Sequence, residues 1–440
     1  MGSKFGALVL AATLTSTLGA GTASAAPAPV PPRPWLRATA LAGLGRVAFV
    51  WRGDVWVAGN GLGRAHALGP GTDPVWSSDG RYVLFFRPRA ETDSLWLAPG
   101  AGGAARELLG SVVPTTVAWV PGTDRLLAAS VPSGYTTDGK PEGSAGMWAF
   151  AAVGGGRMPI LLGSWVNTLA VGDGEVAYSV TLPTSHSPLG RTDALYTLSL
   201  ARPLRRPRRL AVAPGGGIEV ASVQAGRVQY WLDPMHSASL AADGLGLFSR
   251  PLGGGPAVGL GTTLTYRSWL AAGKGDTLYL IAGGPRIAWS DKSLRRCALA
   301  SGRCESIYGG EAAVANDPAV SPSGKAVLFV ASPSRGNNWG FDGKGRAVLA
   351  WQATRRLWLW RPGRPARPLP DAPRGVSMPT FTRDPHVALV VAQGGLWRVN
   401  LSTGRSREVI GGFLSRTADA DIGYYGYRQD IAASFAFVPA

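Results

Sequence analysis

Asp73-Pro-Val-Trp-Ser-Ser-Asp-Gly-Arg-Tyr-Val-Leu-Phe-Phe86 reads as a strand, a tight turn at Ser-Asp-Gly, and a second, apolar strand. Gly supplies the positive φ that such a turn requires, so the stretch is a β-hairpin. It recurs as Asp317-Pro-Ala-Val-Ser-Pro-Ser-Gly-Lys-Ala-Val-Leu-Phe-Val330, with about half of the positions identical. The two copies start 244 residues apart, or five units of roughly 49 residues, within the period range of propeller blades.

A second mark recurs independently as an apolar-aromatic-apolar triplet that opens another strand after each hairpin. The copies are Val55-Trp56-Val57, Leu95-Trp96-Leu97, Met147-Trp148-Ala149, Leu195-Tyr196-Thr197, Leu247-Phe248-Ser249, Leu357-Trp358-Leu359 and Leu396-Trp397-Arg398, with Leu294-Arg295-Arg296 as a degenerate eighth. A Gly- or Pro-rich turn and a last strand follow each, as in Asn400-Leu-Ser-Thr-Gly-Arg-Ser-Arg-Glu408. The chain is therefore all-β, a β-propeller of eight four-stranded blades, with seven as the fallback count. The expected blades are 35–70, 71–111, 112–163, 164–213, 214–260, 261–311, 312–371 and 372–412. A propeller ring closes when both chain ends meet in one blade and leave no exposed inner edge. The apolar run Ala432-Ala-Ser-Phe-Ala-Phe-Val438 is expected to supply that strand to the first blade. No run with a helical period stands out.

The D-P-x-W-S-x-D-G-R hairpin, followed by L-W-apolar and x-T-G-R, resembles the TolB-type repeat, a relative of the WD repeat found in bacterial extracytoplasmic propellers. The match is strong at Asp73 and Asp317, partial at Met378-Pro-Thr-Phe-Thr-Arg-Asp384, and weak in blades three to six. The resemblance implies the propeller fold. It leaves function open, because this repeat serves scaffolds, peptide binders and enzyme domains alike.

Lys4 precedes an apolar run from Phe5 to Ala20, which ends in Ala23-Ser24-Ala25. This reads as a secretory signal over residues 1–25 with an A-x-A cleavage site. Residues 26–34, APAPVPPRP, read as an extended tether, and 35–440 as one propeller domain. The expected destination is secreted or held at the cell envelope, with no transmembrane span. The 440 residues include 61 Gly, 34 Pro and 16 Trp, with 16% charged residues, a mixture suited to short strands and tight turns. The net charge of +17 rests mostly on Arg, since Lys occurs only at 4, 140, 274, 292, 325 and 344. That balance suits anionic partners, although a GC-rich genome that encodes Arg in preference to Lys accounts for it more simply.

Cys297 and Cys304, the only cysteines, face each other across the turn at Ser301-Gly302 and read as a disulfide. Insertions at 132–145, 182–193, 233–244 and 332–356 all fall between second and third strands, which places them on one face of the ring. Long loops on a rigid scaffold carry binding residues. His186 and Asp193 lie in one of these loops, and Asp233, His236 and Asp243 lie in the loop of the next blade. Such a set can ligate a metal or move protons, or it can be merely solvated. The loop at Asn337, Asn338, Trp339, Phe341 and Asp342 suits a sugar or peptide, or caps the core beneath it. Arg205, Arg206, Arg208 and Arg209, like Arg361, Arg364 and Arg367, fall in turns on the opposite face. There they suit an anionic wall polymer or simply a solvated tip. Interleaved Pro and few nearby aromatics argue against nucleic acid.

No nucleophile elbow, Walker loop, H-E-x-x-H or dinucleotide fingerprint is present in the sequence. The expected function is a non-catalytic binding or scaffold propeller, monomeric and without cofactor, recognising a protein, peptide or cell-envelope glycan on the long-loop face. The alternative is a propeller enzyme, a polysaccharide lyase or hydrolase, using His186, His236 and nearby carboxylates with a divalent metal.

Overall fold

The repeat hairpin is built by its own side chains. In the copy at Asp73, Gly80 sits at φ +68° and its N–H bonds to Ser77 O (2.9 Å), while Ser77 Oγ accepts from Tyr82 N (3.0 Å) and donates to Asp79 (2.7 Å). In the copy at Asp317, Gly324 and Ser321 repeat this arrangement, with Ser321 Oγ accepting from Ala326 N (3.0 Å). The Asp-Pro mark has a separate cause. Asp73, Asp317 and Met378 each precede a Pro, adopt φ of +52°, +50° and +49°, and sit where the pairing register shifts. Each is a β-bulge, a place where the missing N–H of Pro costs the ladder nothing.

The computed structural model describes residues 34–439 apart from 63, 90–92, 111–112, 132–133, 136–140, 143–144, 155, 183–191, 203–205, 235–243, 337–344 and 413–433. Among the described residues eight antiparallel sheets form the ring, seven of four strands and one of five, and in blades two to eight the four strands from the inside outward follow chain order. The second blade is Thr72–Trp76, Tyr82–Pro88, Asp93–Pro99 and Arg106–Leu109. The third is Val113–Trp119, Arg125–Val131, Gly146–Ala151 and Arg157–Leu162. The fourth is Trp165–Gly172, Glu175–Leu182, Thr192–Ser199 and Arg208–Ala213, and the fifth Gly217–Gln224, Arg227–Asp233, Leu245–Pro251 and Val258–Thr263. The sixth is Leu270–Ala272, Thr277–Ala282, Ser293–Ala298 and Cys304–Tyr308. The seventh is Ala313–Val320, Val327–Pro333, Arg356–Trp360 and Arg367–Pro368, and the eighth Ser377–Phe381, Val387–Ala392, Gly395–Asn400 and Ser406–Gly411.

In the first blade the C-terminal strand Phe435–Pro439 is innermost, ahead of Gly45–Trp51, Asp54–Gly59 and His66–Pro70. Trp35–Leu36, expected within that same blade, instead pairs with Ser406–Gly411 as a fifth, outermost strand of the eighth. Two residues carry too little pattern to reveal this.

The aromatic triplet marks a recurrent irregularity. Between its first and second residues the register to the fourth strand shifts in blades one to six and eight. Its aromatic ring faces another across the second strand at Phe49↔Trp56, Phe85↔Trp96, Tyr178↔Tyr196, Tyr230↔Phe248 and Phe329↔Trp358. Such cross-strand aromatic pairs contribute roughly 0.2–1 kcal/mol each. In the degenerate copy, Arg295 faces the aliphatic Leu280.

Eight apolar clusters fill the ring, each drawn from two neighbouring blades. One joins Leu84, Leu95 and Leu97 of the second blade to Trp119, Leu126 and Trp148 of the third. Full burial of one such side chain stabilises the fold by roughly 1.5–3 kcal/mol. Among the described residues the longest departure from strand is the helix Gly345–Gln352 in the seventh blade's long connection, beside the single helical turns Ala38–Leu41 and Arg267–Trp269. It forms because Val348 and Trp351, three apart, turn one face inward; Trp351 meets Trp289 of the sixth blade edge-on at 6.2 Å and donates to Pro333 O (2.8 Å). No described helix is long and apolar enough to cross a membrane.

Candidate functional site

The long connections of blades three, four, five and seven join the end of each second strand to the start of the third. In a ring of like-oriented antiparallel blades these ends share one side. His186, His236, Trp339 and Asp342, with Asn337, Asn338, Phe341 and Asp243, lie outside the described residues, as does Arg205.

Asp193 is 2% exposed. Its carboxylate accepts from Thr181 Oγ1 (2.8 Å) and Asn167 Nδ2 (3.1 Å) within its own blade, and from Ile218 N (3.0 Å) of the next. It thus bolts the fourth blade to the fifth, the work that Asp317 does for blades seven and eight through Met378 N (3.2 Å). Asp233 pairs with Gly217 at the start of that same fifth-blade strand, and Asp193 N donates to Gly216 O (3.1 Å). The two aspartates therefore meet at the entry of one inner strand, one of them buried.

Cys297 and Cys304 are bridged and directly opposite in register, with Cα atoms 4.1 Å apart. At the opposite end of the ring, Arg206, Arg208 and Arg209 are exposed. Arg202, Arg206 and Arg208 line a cleft of about 410 Å3 between blades four and five, together with Glu175, Thr197 and Leu252. Arg208 Nη1 spans the cleft to Gly253 O (2.5 Å). Glu175 accepts from Thr197 Oγ1 (2.7 Å) on its floor.

Two groups that the sequence reading did not single out occupy the interior. Arg267 leads into the inner strand of the sixth blade, within the turn Arg267–Trp269. Its guanidinium donates to Val220 O (2.7 Å), Leu169 O (3.2 Å) and Thr116 Oγ1 (3.4 Å), on the inner strands of the fifth, fourth and third blades. A side chain rooted in one blade that touches three others crosses the channel on the ring axis. Arg267 is exposed as a residue, yet desolvation of its guanidinium lowers its pKa, and the nearby Glu219 opposes the shift. Burial in turn pushes the Glu219 carboxyl up to about 6 against the pull of Arg267.

Lys292 closes the sixth blade's connection on the long-loop side. It is fully buried; Nζ donates to Pro285 O (2.7 Å) and Ser290 O (3.1 Å). Burial pushes its pKa down to about 7, with Asp291 pulling the other way. An arginine there would remain charged, whereas a lysine can lose its proton. The rarity of Lys in an Arg-rich chain was the one sequence signal for it. Nothing in Leu-Thr-Tyr-Arg-Ser-Trp269 distinguishes Arg267 from a surface residue.

No protein-family model matches the sequence, and no curated protein matches it. Among solved structures, the fold is similar to dipeptidyl peptidase 4 of Porphyromonas gingivalis, at 8% identity over 85% of this chain and 60% of that one, TM-score 0.52. It is similar also to prolyl oligopeptidase B of Galerina marginata, at 9% identity over 79% and 51%, TM-score 0.50. TolB from Acinetobacter baumannii is another match, at 11% over 90% and 67%, TM-score 0.37. The chain spans about half the length of the prolyl oligopeptidases it resembles. The first two likenesses show the fold alone: this chain is an eight-bladed β-propeller.

Proposed function

We propose that the protein is an exported, non-catalytic binding propeller that recognises a peptide, protein or cell-envelope glycan at the end of the ring from which the long connections leave. One observation carries this reading: blades three, four and five are consecutive, and all three send their long connection from the same side. Binding residues concentrate on such loops over a rigid frame. Export is supported by the signal-like residues 1–25 and by the Cys297–Cys304 bridge, which suits an oxidising compartment. The test is a thermal-shift screen of wall fragments and peptides on the intact chain and on a variant with residues 183–191 and 235–243 replaced by short Gly-Ser turns. A hit lost in the shortened variant supports the reading, and a hit retained at full strength refutes it.

A second reading rests on the cleft lined by Arg202, Arg206 and Arg208 at the other end, which suits an anionic wall polymer. Retention on such a polymer should weaken with added salt, and salt-independent retention removes the idea. The enzyme alternative draws on His186 and His236, and the solved peptidases share only the fold. Metal analysis of the purified protein, with the variants His186→Ala and His236→Ala, separates it from the binding reading.

A further inference from the structure

We infer that the central channel holds a carboxylate-binding site built on Arg267. A guanidinium carries five N–H donors and keeps its charge at any physiological pH. Three of these donors are taken by Val220 O, Leu169 O and Thr116 Oγ1, all neutral acceptors. Nε and the second hydrogen of Nη1 have no protein acceptor among the described residues, and the residue is exposed. No described carboxylate lies within ion-pair distance; Glu219 acts on the cation only through its field. The cation is therefore held in a fixed direction by three blades, with two donors unused and its charge unmatched by contact among the described residues.

A single positive charge between low-dielectric walls concentrates its field along the channel and draws in an anion. Both hydrogens of Nη2 are engaged, so an incoming carboxylate is held by one charge-assisted donor and the charge rather than by a two-donor fork, and the proximity of Glu219 disfavours a doubly charged phosphate. Two sources present that group at a chain end or ring: the C-terminal carboxylate of a peptide and the carboxylate of a uronic acid. The site depends on the inner strands alone, so shortening the long connections leaves it in place.

Calorimetric titration of the full chain decides the matter, with Ala-Ala-Ala as free acid and as amide, glucuronic acid and its methyl ester, and inorganic phosphate as probes. The expected result is that at least one free acid binds and its uncharged counterpart does not. Arg267→Gln should weaken that binding roughly tenfold to a hundredfold, the effect of losing a charge-assisted hydrogen bond. Glu219→Gln should tighten it, a gain that a merely structural bracket would not produce. The acid that binds identifies the source. Unchanged binding in Arg267→Gln, equal binding of amide and acid, tighter binding of phosphate, or no binding of either acid overturns the inference. If Arg267→Gln fails to fold, Glu219→Gln carries the test: binding no tighter than in the wild type then overturns it.

Discussion

Lys292 makes the stability of the ring rise with pH, the reverse of what a lysine held by an ion pair does. Its ammonium titrates near 10.5 in the unfolded chain and about 7 in the folded one. Between these values the unfolded state holds a proton that the folded state has lost. Stability therefore rises with pH across that window and is flat with respect to this group below 7. Each pH unit inside the window corresponds to about 1.4 kcal/mol, so from pH 7 to pH 9 the gain is on the order of 2–3 kcal/mol. Lys292→Met keeps the volume, abolishes the titration, and leaves Pro285 O and Ser290 O without their donor, at roughly 1–3 kcal/mol. Urea unfolding of both proteins at pH 7, 8 and 9 isolates the group, because all other titrations cancel in the difference. The variant should fall further below the wild type at each step. A gap that is constant with pH refutes the assignment of a neutral amine to the folded state.

Three more outcomes follow from the packing. Asp193→Ala removes an acceptor shared by Thr181, Asn167 and Ile218 at the junction of blades four and five, and should lower stability by roughly 2–4 kcal/mol, read as a fall in the thermal midpoint. Replacing Cys297 and Cys304 by Ser should cost about 2–3 kcal/mol in the chain-entropy model, and reductant should then no longer shift the midpoint. Leu84→Ala, in the apolar cluster between blades two and three, should cost about 2–5 kcal/mol, measured by urea unfolding.

The blades were readable because their marks are local devices. Ser-x-Asp-Gly is a turn that caps itself, Asp-Pro is a bulge, and the triplet marks a second bulge in seven blades and an aromatic partner on the second strand in five. Each leaves a fixed spacing of residue types in the sequence. What escaped the sequence is long-range. The role of Asp193 depends on Ile218, a residue of the next blade, and nothing near position 193 announces a bolt rather than a loop carboxylate. Arg267 acts on three strands from elsewhere in the chain, so its meaning arises only when the ring is closed. The helix Gly345–Gln352 is too short for its period to stand out, and it is held by Trp289 rather than by its own propensity.

The placement of the two chain ends also sets an order of events. Trp35–Leu36 clasps the eighth blade from outside, and Phe435–Pro439 fills the first blade from within, so the first contact waits for residues 410–411 to be made and the second for residues 435–439. Every other blade is assembled from consecutive strands and can form as soon as it is synthesised. Joining residues so far apart carries the largest loop-closure cost in the molecule and belongs at the end of folding. Until then the strand Gly45–Trp51 has a bare inner edge, a ready template for pairing with another chain. The loss of the last few residues would thus act less by weakening the finished ring than by leaving a newborn chain open to aggregation.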